Sequence, residues 1–124
     1  MVYSDFKNLV AWQKAMDLVS DVYNVVNCFP NEELYGLTSQ IKRSVISIPS
    51  NIAEGQARGS KKEFIHFLHY ARGSAAELET QLLISVKVGI VTLAQIESLI
   101  KDLQHVGYIT LQLIKSLEKK NPKN

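Results

Sequence analysis

Two residue pairs in this sequence have the spacing of metal ligands in a helical bundle. In di-iron bundle proteins, Glu-x-x-His pairs on facing helices bind the metals. Glu63 and His66 form one such pair, and Asp102 and His105 resemble a second. At 100° per residue, however, His66 falls about 160° from the centre of its apolar stripe, and His105 is turned away similarly. The pairs cannot converge inside a bundle, so we expect no metal site and no cofactor.

The histidines also raise the question of RNA cleavage by general acid–base catalysis. Helical ribonucleases place an arginine at a short, fixed distance before the catalytic histidine. Seven residues separate Arg58 from His66, and neither His69 nor His105 has an arginine at a suitable distance upstream. We therefore expect no catalytic residues and a protein that is not an enzyme. Weak hydrolysis by His66 or His69 remains an alternative.

Positive charge is the remaining candidate feature, and it is unevenly distributed. The chain has a net charge of only +2, but residues 42–72 sum to +4 and residues 115–124 to +3. Clustered cations can hold phosphates without reading bases. Alternatively, they are solvated helix faces and a solubilising tail. The candidate nucleic-acid-binding residues are Lys42, Arg43, Arg58, Lys61, Lys62 and Arg72, with Lys115, Lys119, Lys120 and Lys123 on the tail.

A second set of residues is suited to contacts between subunits. Arg43 and Glu54 lie three turns apart on one helix, too far to pair with each other, so we expect their partners on another helix or another subunit. Gly73 and Ser74 begin a run of small residues that would allow a close helix contact. The candidate interface residues are Arg43, Glu54, Gly73, Ser74, Glu77 and Glu79.

Every long segment carries apolar residues at helical spacing, and none alternates with the period of a strand. Capping signals precede three of the segments, at Asn31, at Ser60 and at Thr92. Short connections between four helices imply an antiparallel up-down-up-down four-helix bundle. The predicted core stripes are Leu9, Trp12, Met16, Val19, Tyr23 and Val26; Leu34, Leu37, Ile41, Val45, Ile48 and Ile52; Phe64, Leu68, Ala71, Ala75, Leu78 and Leu82; and Ile96, Leu99, Leu103, Val106, Thr110, Leu113 and Leu117.

Pro49 lies inside the second predicted helix. Proline lacks the N–H that the helix would use, and its ring clashes with the preceding turn, at a cost of about 3 kcal/mol. We therefore expect the second helix to be kinked.

Further apolar residues lie off the predicted core stripes. A monomer would expose them, and a set this broad in a small bundle favours self-association. Periodicity alone supports an oligomer of unspecified size. These residues are Ile46, Ala53, Ala57, Leu83, Ile84 and Leu111.

The composition fits one soluble domain. Hydrophobic residues make up 46% of the 124 residues, and no apolar run has the length of a transmembrane helix. Residues 1–5 lack the basic and apolar regions of a secretory signal, which predicts a cytoplasmic protein. Cys28 is the only cysteine, which excludes an internal disulfide. We expect one domain over residues 1–124 with a frayed tail from about residue 120, and no membrane partner.

Several motifs carry a resemblance to a known family. They are Phe6 and Leu9, Val10-Ala11-Trp12-Gln13-Lys14-Ala15, Phe29-Pro30, Glu33-Leu34-Tyr35-Gly36-Leu37, Gln40-Ile41-Lys42-Arg43, Ser47-Ile48-Pro49-Ser50-Asn51-Ile52-Ala53-Glu54-Gly55, Arg58-Gly59-Ser60, Ala71-Arg72-Gly73-Ser74-Ala75-Ala76-Glu77-Leu78-Glu79 and Gly89-Ile90. With these motifs, the chain resembles the small four-helix-bundle proteins first noticed as products of intervening sequences in bacterial 23S ribosomal RNA genes. That family includes accessory proteins of diversity-generating retroelements.

The resemblance implies more than the residues do by themselves. Members of the family form homopentameric rings, and the retroelement accessory members bind nucleic acid and the reverse transcriptase of their element. We therefore expect a homo-oligomer, a pentamer, with RNA or DNA and a reverse transcriptase as candidate partners. The expected function is a non-enzymatic scaffold that binds nucleic acid through a basic surface. The alternative is a protein–protein assembly adaptor that does not contact nucleic acid.

Overall fold

A computed structural model describes residues 5–119 of the chain, and its regular structure is helical. Short 3-10 turns at Phe6–Asn8 and Asn31–Glu33 precede the first and second α-helices, and no strand occurs in this part of the chain. Helix α1 packs against α2 and α4, and α3 packs against the same two helices, as in a four-helix bundle. The four helices are α1, Val10–Val26; α2, Leu37–Ala57; α3, Lys61–Lys87; and α4, Leu93–Glu118.

The predicted core stripe of α1 is displaced by one position. Met16 is 43% exposed, whereas Ala11 and Ala15 are almost fully buried. Small alanine side chains let the neighbouring helices approach α1, and the larger Trp12 and Val19 are half-buried at the edge of this contact. The buried residues of α1 are Ala11, Ala15, Leu18, Val22 and Val26.

The centres of the other three stripes are confirmed. Most of their predicted residues are buried, while the outer positions Leu37, Phe64, Leu113 and Leu117 are only partly buried. These residues form one continuous apolar core. The confirmed central residues are Ile41, Val45, Ile48 and Ile52; Leu68, Ala71, Ala75, Leu78 and Leu82; and Ile96, Leu99, Leu103, Val106 and Thr110.

The predicted start of the second helix at Asn31 is wrong. Asn31–Glu33 forms a 3-10 turn, and α2 begins only at Leu37. Gly36 separates the two with φ of −109° and ψ of −110°, a backbone conformation outside the helical region. Leu34, which was predicted as a core residue, is consequently 48% exposed.

The predicted helix boundaries around α3 and α4 are confirmed. The Ser60 hydroxyl accepts a hydrogen bond from the third residue of α3. Thr92 and Gln95 form a complete capping box at the start of α4. Gly59 follows α2 and Gly89 follows α3, with φ of +80° and +83°. Each of these helices is therefore followed by a glycine in the left-handed conformation, which is common after the end of a helix.

The glycine that lies at a close helix contact is Gly55 rather than Gly73. A Cβ on Gly55 would lie 2.6 Å from the Cβ of Phe67, whereas a Cβ on Gly73 would meet nothing within 4 Å. The close approach expected at Gly73 therefore occurs instead at Gly55, between the end of α2 and the first turns of α3. Pro49 is buried inside α2, and the kink stays a prediction.

Two expectations concern the ends of the chain and the membrane. The prediction of a frayed tail, which includes Lys120 and Lys123, concerns residues outside the described part of the chain. Between residues 5 and 119, no helix combines the length and the apolarity needed to cross a bilayer.

Candidate nucleic-acid interface

The structure distributes the six candidate cations over three places. Two lie near the start of α2, three at the α2–α3 connection and one in the middle of α3. At a rise of 1.5 Å per residue, Arg43 and Arg58 are about 22 Å apart along α2, so they cannot share one phosphate. The three groups are Lys42 with Arg43; Arg58 with Lys61 and Lys62; and Arg72 alone.

The first group contains one anchored and one free cation. The Lys42 Nζ atom lies 4.8 Å from the centre of the Tyr23 ring, so this lysine caps an aromatic residue of α1. Arg43 is exposed, and its side chain makes no ion pair or hydrogen bond with any other residue between 5 and 119. Arg43 is therefore available for an anion or for another subunit.

Arg58, at the end of α2, is held by two carboxylates. Its Nη2 atom lies 2.7 Å from Glu54 Oε2, and its Nη1 atom lies 3.7 Å from Glu63 Oε1. The hydrogen bond to Glu54 is the main reason why the pKa of Arg58 is raised. The guanidinium also lies 4.9 Å from the centre of the Phe67 ring. Its charge is thus largely compensated within the chain.

The pairing of Glu54 corrects one expectation. Its partner is Arg58, one turn further along the same segment, and not a residue of another helix. A role of Glu54 between subunits stays a prediction.

Lys61 and Lys62 form the least compensated group. Both are exposed in the first turn of α3, and neither forms an ion pair in the described part of the chain. The start of a helix carries positive partial charge, so a cation there is disfavoured by about 0.3–1 kcal/mol. Two lysines at this place concentrate positive potential where the backbone already favours an anion.

Arg72 lies at the edge of a groove between α3 and α4. Small residues, including Ala76 and Gly107, form part of the groove, and Tyr108 is 60% exposed beside them. At the same groove, Gln104 Nε2 donates to Glu79 Oε2 over 3.5 Å. Glu79 therefore contacts α4 within the chain, and its role between subunits stays a prediction.

Ser74 and Glu77 belong to a polar seam between α2 and α3. The hydroxyls of Ser47 and Ser74 are hydrogen-bonded to each other. Ser44 Oγ lies 2.9 Å from Glu77 Oε1 and 2.8 Å from Gln81 Oε1. Since one hydroxyl proton cannot serve two acceptors, the chemically consistent arrangement turns the Gln81 amide so that its NH₂ donates to Ser44. The seam holds α2 against α3.

Sequence reasoning missed an aromatic cluster on α3, next to the lysines. The His66 and Tyr70 rings lie 4.5 Å apart, and Phe67 lies 5.5 Å from Tyr70 and 6.3 Å from His66. His66 Nε2 and Tyr70 Oη are hydrogen-bonded at 2.7 Å. The signal was present in the spacing of four residues from Lys62 to His66 and again to Tyr70, which places all three on one row of the helix.

The histidines are directed as predicted. His66 and His105 are both exposed rather than turned into the core. Within residues 5–119, no group of three or more His, Cys, Asp or Glu side chains is positioned to hold a metal ion. A polar cleft beside His105 lies between α1 and α4 and also contains Lys14, Asp17, Asp21 and Asp102.

Apolar surface is exposed on the single chain, as predicted. Ile46, Leu83 and Ile84 are each between 43% and 44% exposed. Ala53 and Leu111, which were predicted with them, are half-buried. Ile46 also belongs to an apolar groove between α1 and α2, lined by Trp12, Met16, Val19, Ile46, Pro49, Ser50 and Ala53.

Comparisons with known proteins agree on one group of relatives. The sequence pattern of the family described as "23S rRNA-intervening sequence protein" matches residues 7–112. A crystal structure of a protein of unknown function from the S23 ribosomal protein family of Bacteroides thetaiotaomicron VPI-5482 has a similar fold, with a TM-score of 0.79 and 28% sequence identity. The match covers 86% of this chain and 99% of that one. A comparison with curated proteins gives no significant match.

Proposed function

Because the chain belongs to the 23S rRNA-intervening sequence protein family, we propose that it is a non-enzymatic, homo-oligomeric scaffold of the cytoplasm that binds nucleic acid through a basic surface. The observation that carries this proposal is the exposed pair Lys61 and Lys62 at the start of α3. Two cations at the positive end of a helix cost stability, and a bound phosphate would relieve that cost.

The proposed bundle is antiparallel, with helices running up, down, up and down. Contacts between α2 and α3 support this arrangement, because residue numbers rise along one helix as they fall along the other. Ser44 meets Gln81, and Ser47 meets Ser74. Toward the end of α2, Gly55 lies against Phe67.

The proposed oligomer is a homopentameric ring. The number five comes from the resemblance to the family, and the exposed apolar surface supports self-association. A ring requires two different faces that fit each other. We assign these faces to the apolar groove between α1 and α2 and to the exposed Leu83 and Ile84 of α3.

The ring would strengthen a weak monomer charge. Each copy contributes the same cations around one axis, which raises the local potential for polyanions. We assign the direct phosphate contacts to Lys61 and Lys62, with Arg43 and Arg72 as outer contacts. Lys42 and Arg58 have partners within the chain and are assigned to structure. A reverse transcriptase is the candidate protein partner by analogy with retroelement members of the family.

Charge reversal tests the assignment. We expect the double change Lys61→Glu and Lys62→Glu to weaken binding of labelled RNA and DNA at least tenfold in fluorescence anisotropy, and to flatten the dependence of affinity on salt. The matched control is Lys87→Glu with Lys101→Glu. It changes the net charge by the same amount at two exposed lysines, one at the last residue of α3 and one on α4. Size-exclusion chromatography with light scattering checks that both variants keep the oligomer.

Equal binding by the two double variants would refute the assignment of the site. If the unchanged protein binds no nucleic acid even at low salt, the scaffold proposal fails. The protein–protein adaptor would then be the better function, and the exposed apolar groove between α1 and α2 is the observation that favours it.

A further inference from the structure

We propose that His66, Phe67 and Tyr70 form a stacking platform for unpaired nucleobases, so that the protein selects single-stranded over duplex nucleic acid. This inference rests on the proposed function, because it assigns the type of strand bound at the same basic end of α3. We call the three residues the ring platform.

The ring platform is held in place by contacts on its inner side. Phe67 lies against Gly55, where the close approach of α2 and α3 fixes the position of its Cβ. His66 and Tyr70 are joined by a hydrogen bond of 2.7 Å. A fixed aromatic surface loses little conformational freedom when a ligand stacks on it, which favours binding.

Two rings of the platform, His66 and Tyr70, are open to solvent, whereas the Phe67 ring is half-buried and has the Arg58 guanidinium 4.9 Å from its centre. Tyr70 is 50% exposed, and His66 is exposed as well. Rings that served only the core would be covered by neighbouring helices. Exposed aromatic side chains beside cations are the combination that proteins use to bind single strands, because every base has a face that can stack.

The cations lie in register with the rings. Lys62, His66 and Tyr70 follow one another at intervals of four residues, so their Cβ atoms are about 5–6 Å apart in a row. Other charged groups at this end are Lys61, which adds to the positive potential, and the compensated set of Arg58 with Glu54 and Glu63. Phosphates can therefore contact the lysines while a base lies on the rings.

A duplex cannot use this surface in the same way. Its bases are stacked on one another, so the rings would meet only the backbone. The lysines still attract duplex phosphates, and the expected preference for single strands comes from the ring platform alone.

The test separates the contribution of the bases to binding from that of the phosphates. Binding of three labelled DNAs of equal length is measured by fluorescence anisotropy: an oligothymidine strand, an abasic strand with the same phosphates, and a duplex. We expect the protein to bind the oligothymidine more tightly than either of the others. Tyr70→Ala should weaken binding of oligothymidine about tenfold, and should change binding of the abasic strand less than twofold.

Three further variants complete the design. Tyr70→Phe keeps the ring and should keep most of the affinity, and Tyr35→Ala removes a tyrosine that is 93% exposed elsewhere and should change nothing. Lys61→Glu with Lys62→Glu should weaken binding of all three DNAs. Circular dichroism checks the fold of each variant, and quenching of 2-aminopurine in a single strand by the unchanged protein reports stacking even where Tyr70→Ala fails to fold.

The outcomes are distinguishable. Equal affinity for oligothymidine and the abasic strand, or an unaltered preference in folded Tyr70→Ala, would overturn the ring platform and leave the scaffold proposal intact. Absence of quenching would overturn it as well. No binding of any DNA or RNA at low salt would remove the scaffold proposal itself.

Discussion

Two regions of the α2–α3 pair use polar side chains in opposite ways. Toward the start of α2, Ser44 and Gln81 are buried and satisfy each other inside the bundle. Toward its end, Lys61, Lys62 and Tyr70 turn outward. Buried polar groups that find partners fix the alignment of the helices. Exposed cations without partners at the start of a helix do not stabilise the fold, so the second region is where binding is expected.

Gly55 and Gly73 allow the sharpest test of this comparison, with the largest expected effect. Gly55→Ala would place a Cβ 2.6 Å from the Cβ of Phe67, and neither backbone can yield without moving a helix. We expect a loss of about 1–3 kcal/mol in the free energy of unfolding, as for other overpacked sites. Chemical denaturation at a fixed protein concentration measures it, since an oligomer's stability depends on concentration.

Gly73→Ala is the matched control on the partner helix. Because the added Cβ meets nothing within 4 Å in the chain, alanine should stabilise α3 by about 0.5–1 kcal/mol. If Gly73→Ala instead dissociates the oligomer, the predicted role of Gly73 between subunits is supported. An unchanged stability for Gly55→Ala would show that the two helices are less tightly joined than the structure indicates.

Ser44→Val tests the buried polar region. The substitution removes the hydroxyl and leaves Gln81, which is only 7% exposed, without this hydrogen bond. A buried polar group that loses its partner costs about 1–3 kcal/mol. The control is Ser39→Ala at an exposed site on the same helix, which should stay within about 0.5 kcal/mol in the same unfolding experiment. Equal effects of the two changes would contradict the structural role of the seam.

Much of this comparison lies beyond what the sequence can predict. Periodicity identified the helices and most of the core, because apolar spacing reports the buried face directly. It misplaced the centre of α1, because the stripe of large residues was followed and the small Ala11 and Ala15 were not. The hydrogen bond between Ser44 and Gln81 joins residues 37 positions apart, a distance that no local pattern reports.

The region where α2 ends and α3 begins was only partly predictable from the sequence, for a different reason. The pair of Glu54 and Arg58 has the spacing of four residues that helices use for ion pairs, so its signal was in the sequence. The row of Lys62, His66 and Tyr70 was equally visible, but His66 was considered only as a ligand or a base. What the sequence could not give is the contact of Phe67 with Gly55, since it depends on how two helices meet.

Glu54→Gln has the smallest expected effect on stability. It tests whether the charges where α2 ends and α3 begins serve stability or binding. The pair with Arg58 is at the surface, where ion pairs contribute about 0–1 kcal/mol, so unfolding should change by less than about 0.5 kcal/mol. Binding is expected to increase, because without the Glu54 carboxylate the guanidinium of Arg58 keeps one acidic partner, Glu63 at 3.7 Å, beside the Phe67 ring, and becomes more available to phosphate. We expect tighter binding of single-stranded DNA, by about two- to fivefold at low salt, with the gain disappearing as salt screens the charges. Glu97→Gln, which removes the same charge from an exposed position on α4, is the control. An equal gain for both changes would mean that only the overall charge matters, and that the arrangement at the end of α2 does not direct binding.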